Sequence, residues 1–73
     1  MPTDTTVERV AANVRAELAR KGITQSDLAA KLNKSQPFIS RRLSGRVAFD
    51  VADLASIATV LDVSITALVE VAA

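Results

Sequence analysis

Apolar residues recur at helical spacing through most of this chain. Val7, Val10, Val14 and Leu18, with Ala11 beside them, form one stripe. The stripe predicts a first helix from near Thr5, where Thr5 and Glu8 fit a capping box, to Lys21 and Gly22. Thr24 and Asp27 open a second helix, whose buried stripe is Leu28, Ala29 and Leu32 and whose terminator is Asn33. Ser35 caps a third. Pro37 falls in its first turn, where backbone N–H groups have no intrahelical acceptor, so the proline marks a helix front. Gly45 ends that helix. A fourth runs from Asp50 to about Leu61 with Val51, Leu54, Ala58 and Leu61 on one face. A fifth starts at Ser64 and carries Ile65, Leu68, Val69 and Ala72. The β-branched runs TVLDVSITALV and VAFDV are too short and too punctuated for a sheet, so the expected fold is all-α.

Length and composition narrow this to one small domain. The chain has 73 residues, and a chain of this size buries only about 60–65% of its unfolded surface. With 49% apolar residues and two aromatics, Phe38 and Phe49, the expected core is aliphatic. We expect a flexible N-terminus at 1–4 and one domain over 5–73. Histidine and cysteine are both absent, which removes the usual ligands of metal sites and the usual members of acid–base triads. No glycine loop that could cradle phosphates and no clustered carboxylate pair is evident, so an enzyme and a cofactor are not expected. The N-terminus lacks signal-peptide regions, and no apolar run approaches the roughly 20 residues of a membrane span. A cytoplasmic, nucleoid-associated protein without membrane or small-molecule partners is the expectation.

Net charge is only +1, but its distribution is uneven. Leu28 to Phe49 holds Lys31, Lys34, Arg41, Arg42 and Arg46 and no acid. Such a block in an otherwise acidic chain fits either a polyanion-binding face or a solvated helix surface. The second and third helices are separated by only the few residues around LNKS. That is the spacing of a helix-turn-helix, at about 24–44, with small Ala29 permitting close approach and Ile39 turned to the core.

The segment ITQSDLAAKLNKSQPFISRRLSG resembles the helix-turn-helix of the lambda-repressor-like and Cro-like (XRE-type) family. The matching features are T-Q-x-x-L-A, a short turn, S-Q-x-x-I-S-R and a glycine. DVADLASIATVLDVSITAL resembles the family's fourth and fifth helices, so the resemblance covers roughly residues 7 to 70. It implies a compact five-helix domain that binds double-stranded DNA. By position, it implies that Gln36 reads adenine and that Pro37, Ser40 and Arg41 also face the major groove. Gln25 would grip a phosphate and steady Gln36. Lys34, Ser35, Arg42, Ser44 and Arg46 complete the expected phosphate-binding set. Alternatives remain open: the glutamines could make only local helix-start bonds, the serines could be plain surface residues, and Lys31 and Lys34 could act diffusely.

Two departures from the family pattern matter. Arg42 and Leu43 stand where an apolar residue and often an acid are usual, and the first-helix partner of that acid matches Leu18. An apolar Leu18–Leu43 contact is therefore expected in place of an ion pair. Asp62 stands where glycine is preferred.

A helix turns about 100° per residue. With Ile39 and Leu43 facing the core, Arg41 points almost directly away and suits guanine O6 and N7. Arg42 lies about 80° from the core direction, along the flank, as a phosphate ligand or a partner for a nearby acid. Phe38 falls about 110° from the core direction, where it either packs against the second helix's start, the favoured reading, or covers a thymine methyl.

The function expected is a sequence-specific transcriptional regulator, a phage-type (immunity or Cro-like) repressor, since RRLSGR…FDV most resembles regulators of actinobacterial phages and their hosts. It would act as a homodimer, at least on DNA, through the fifth helix and the C-terminal VEVAA. The alternative is an antitoxin binding both operator DNA and a toxin.

Overall fold

A computed structural model of the chain describes residues 5–70, and for Thr5 only the backbone. The expected flexible residues 1–4, the Thr5 side chain of the first capping box, and Ala72 with the end of VEVAA lie outside the described residues. Five helices follow in order: α1 Thr5–Lys21, α2 Gln25–Leu32, α3 Gln36–Leu43, α4 Val51–Leu61 and α5 Ile65–Val69. Among the described residues there is no strand, as expected of an all-α chain.

Each helix after α1 starts on an oxygen-bearing side chain that satisfies a free backbone donor. Thr24 and Asp50 form full capping boxes with Asp27 and Asp53, while Ser35 and Ser64 accept from Phe38 N–H and Ala67 N–H. The first four helices end alike. Gly22, Asn33, Gly45 and Asp62 all take left-handed backbone angles. In each case the next residue's N–H reaches back five positions: Ile23 to Leu18, Lys34 to Ala29, Arg46 to Arg41, Val63 to Ala58. This is the Schellman arrangement, which satisfies otherwise orphaned carbonyls.

Asp62 is the least comfortable of the four. Its φ is 56°, and its carboxylate lies at the negative end of α4. Asp62→Gly removes both penalties. It should stabilise the domain by about 1 kcal/mol, seen as a rise of roughly 4–8 °C in the thermal midpoint. Asn33→Gly, with no charge to relieve, should gain less.

The core is aliphatic. Val14 and Leu18 of α1, Leu28 and Ala29 of α2, Ile39 and Leu43 of α3, Leu54, Ile57, Ala58 and Leu61 of α4 and Leu68 of α5 form one cluster. Leu18 and Leu43 thus share the same buried cluster, and α1 packs on α3. α1 also packs on α4 and α5, α2 on α3 and α4, and α4 on α5. α3 therefore rests mainly on α1 and α2.

Two expectations about buried stripes need correction. Val51 has the right spacing but is 75% exposed, because periodicity gives the side of a helix and not how far its neighbours extend over it. The α4 stripe instead includes Ile57, which is fully buried between Leu54 and Leu61. On α5, Leu68 is fully buried, but Ile65 and Val69 remain 37% and 41% exposed. Asn13 explains how so short a helix is held: its side-chain amide donates to the carbonyls of Leu68 (3.0 Å) and Glu70 (2.7 Å). That tie joins α1 to the end of α5.

Candidate nucleic-acid interface

The turn between α2 and α3 is built by two local preferences. Asn33 tolerates the left-handed angle that ends α2, and Ser35 in extended conformation starts α3 two residues later. α3 is then fixed by burying Ile39 and Leu43, which are 0% and 1% exposed. Pro37 sits in its first turn, as the sequence predicts. Arg15 of α1 donates to the carbonyl of Leu43 and satisfies part of the helix's C-terminal end.

With that face buried, the opposite face of α3 is open. Gln36, Pro37, Ser40, Arg41 and Ser44 are all exposed. Gln25 at the start of α2, Lys34 and Ser35 in the turn, and Arg46 beyond α3 are exposed too. The first turn of α3 carries no acid and its last turn carries Arg41 and Arg42. On this open face Arg41, with Arg46 beyond the helix, is exposed to a polyanion.

Individual contacts refine the expected roles. The Gln36 side-chain amide donates to the Ser26 hydroxyl at 2.7 Å, so the steadying partner seen for Gln36 is Ser26 of α2 and not Gln25. Ser44 Oγ donates to the Arg41 carbonyl at 2.8 Å and accepts from Arg46 N–H at 3.4 Å, which shapes the turn after α3. Phe38 is half-buried and packs against the core cluster.

Arg42 alone among the expected site residues is not exposed. Its guanidinium lies 3.5 Å from the Phe38 ring centroid, and Nη1 donates to the Phe38 carbonyl at 3.1 Å. Its Nε is 3.8 Å from Asp53 Oδ2 of α4. Of the two roles open to Arg42, the partner for a nearby acid is the one the structure shows. Sequence reading missed Asp53 in this role, together with Arg15, Asn13 and Ser26. No spacing rule marks these residues, because each contact joins segments brought together only by the fold.

The entrance to α2 also has an electrostatic signature. Asp27 accepts from the Thr24 backbone N–H at 3.2 Å, and its own N–H donates to the Thr24 hydroxyl at 3.0 Å. The Thr24 backbone N–H first, then its hydroxyl, hold the Asp27 carboxyl below the ordinary carboxylate range. A depressed folded pKa stabilises the cap fully above the ordinary carboxylate value. That contribution fades as pH falls through the lower, folded value. In an NMR titration the Asp27 midpoint should lie below the ordinary value. Thr24→Val should move it only part of the way back, since the backbone donor survives.

No helix among the described residues is long and apolar enough to cross a membrane. Comparison with curated proteins and with solved structures gave no match. A family model described as helix-turn-helix matches residues 14–68, from the middle of α1 to Leu68 of α5. That span contains the α2–turn–α3 unit and the buried residues that hold it. The chain thus belongs to the helix-turn-helix family of lambda-repressor-like and Cro-like DNA-binding transcription regulators.

Proposed function

We propose that this chain is a sequence-specific repressor whose helix α3 enters the major groove of an operator. The observation that carries the reading is the division of α3 into two faces. Ile39 and Leu43 are sealed in the core, whereas Gln36, Pro37, Ser40 and Arg41 are exposed. Arg41 suits the O6 and N7 acceptors of guanine, and Gln36 suits N6 and N7 of adenine. Pro37 and Ser40 shape and line the same contact. Gln25, Lys34, Ser35, Ser44 and Arg46 flank it and hold phosphates, which sets register without reading sequence.

A module this small engages one half-site weakly, so two copies act together on a roughly palindromic operator. Ile65 and Val69, one turn apart and exposed on α5, supply the apolar seam. Repression then needs only occupancy of promoter DNA, inside the cell at the nucleoid. The phage-type character of the repressor rests on the RRLSGR…FDV resemblance. Selection of bound DNA from a random pool, followed by gel-shift stoichiometry, tests the reading. It should enrich a symmetric site with half-sites about one DNA turn apart, bound by two chains. Binding without sequence preference would refute it. Co-purification with a small toxin occupying the α5 seam would favour an antitoxin instead.

A further inference from the structure

We propose that Arg42 is a positioning residue that sets the pitch of α3 by tethering it to α4, and not a ligand of the DNA backbone. The proposal rests on the reading of α3 as the base-reading helix.

Three contacts hold the guanidinium: the Phe38 ring, the Phe38 carbonyl and the Asp53 carboxylate. The Arg42 and Asp53 side chains are 19% and 13% exposed, so both charges are largely out of water. Withdrawing the guanidinium toward a phosphate would leave the Asp53 carboxylate without its cation and uncover Phe38. Removing one member of such a pair is costly. Arg42 Nε is buried without a hydrogen-bond partner, since 3.8 Å is too long for one. What holds the group inward is the Nη1 bond to the Phe38 carbonyl, the ring contact and the Asp53 charge.

The tether also joins α3 to a helix outside its two main packing partners. α3 packs mainly on α1 and α2, and Ile39 and Leu43 share one buried cluster with Leu54 and Ile57 of α4. The bridge from Arg42 to Asp53 adds a polar link between α3 and α4 to that shared cluster. Its anchor is rigid, because Asp53 Oδ2 also accepts from Asp50 N–H at 3.3 Å and so closes the α4 capping box. On the opposite side Arg15 holds the Leu43 carbonyl. Arg41 precedes Arg42 directly, so the tilt that the tether fixes is the tilt at which Arg41 meets a base. Bidentate reading of guanine tolerates little tilt.

The test compares affinity for the selected site with affinity for the same site altered at the Arg41 base, across a salt series. Arg42→Ala, Arg42→Met, which keeps a stem over Phe38, and Asp53→Asn, which keeps a cap acceptor, are measured in the full chain. Folding is checked by thermal melts. Each variant should lower the discrimination ratio about ten-fold and leave the salt slope unchanged. The Arg42→Met/Asp53→Asn double variant should lose no more than either single one. A salt slope reduced by about one, with equal weakening on both sites, would show Arg42 to be a phosphate ligand and overturn the proposal. So would Asp53→Asn with full discrimination.

A DNA-free arm separates failure of the tether from failure of the function. The Phe38 ring should displace the Arg42 side-chain NMR resonances in the wild type, since the guanidinium lies 3.5 Å from the ring centroid, and less so in Asp53→Asn. No displacement in the wild type, or the same displacement in both, overturns the tether whatever the DNA result. If the wild type shows no sequence preference, the base-reading function falls, and the ring displacement alone then decides whether the tether stands.

Discussion

Arg41→Ala should weaken binding to the preferred operator by about 1–3 kcal/mol per half-site while leaving affinity for unrelated DNA within a few-fold. The expectation follows from where the side chain stands. Arg41 is exposed on the face of α3 opposite Ile39 and Leu43, and its guanidinium makes no hydrogen bond or ion pair among the described residues. Its removal therefore breaks no side-chain hydrogen bond or ion pair among the described residues, and stability should stay within about 0.5 kcal/mol. What is lost is the fork of donors that matches guanine O6 and N7. The loss should concentrate at one base pair of each half-site: selection with the variant should return the same site with that position relaxed. Arg41→Lys keeps the charge without the fork, so it should hold non-specific affinity at the wild-type level without restoring discrimination. Uniform weakening on every sequence would mean that Arg41 holds a phosphate instead.

How much of this was legible in the sequence depends on the range of the interaction involved. Caps and terminators act over a few residues. Thr24, Ser35, Asp50 and Ser64 start their helices as the sequence predicts, and Gly22, Asn33, Gly45 and Asp62 end theirs. Helical periodicity also placed Ile39 and Leu43 inward and Arg41 outward, since that needs only the turn angle. It failed for Val51 and missed Ile57, where burial depends on what lies across from α4. The tertiary polar contacts were beyond it altogether. Arg42 finds Asp53 of α4, Asn13 finds the end of α5, and Gln36 finds Ser26. None of these pairs has a fixed spacing, so only the assembled core brings them within reach. For the same reason a sequence-level reading could give Arg42 two possible roles but not choose between them.

Ile39→Ala should have the largest effect on stability, about 2–5 kcal/mol, and it should do so without touching specificity. Ile39 is 0% exposed at the centre of α3, where the helix meets α1 and α2. Truncation removes transfer energy and leaves a cavity in a densely packed cluster. A chain of 73 residues has roughly 4–11 kcal/mol of stability in total, so the variant stands near the limit of folding. Urea titration should show a sharply lower midpoint, with Ile39→Val losing only about 0.5–1.5 kcal/mol. Yet Ile39 and Arg41 are two residues apart and about 200° around the helix, so each change should leave the other's task intact. Melts with and without operator separate the two. DNA that binds only the folded state raises the midpoint by an amount set by its affinity. Ile39→Ala should start low and gain nearly the full free energy of binding, because its folded form still reads the site. Arg41→Ala should start at the wild-type midpoint and gain little. If Ile39→Ala also gains little at temperatures where it is folded, the buried face does more than hold α3, and the two-face division of the helix fails.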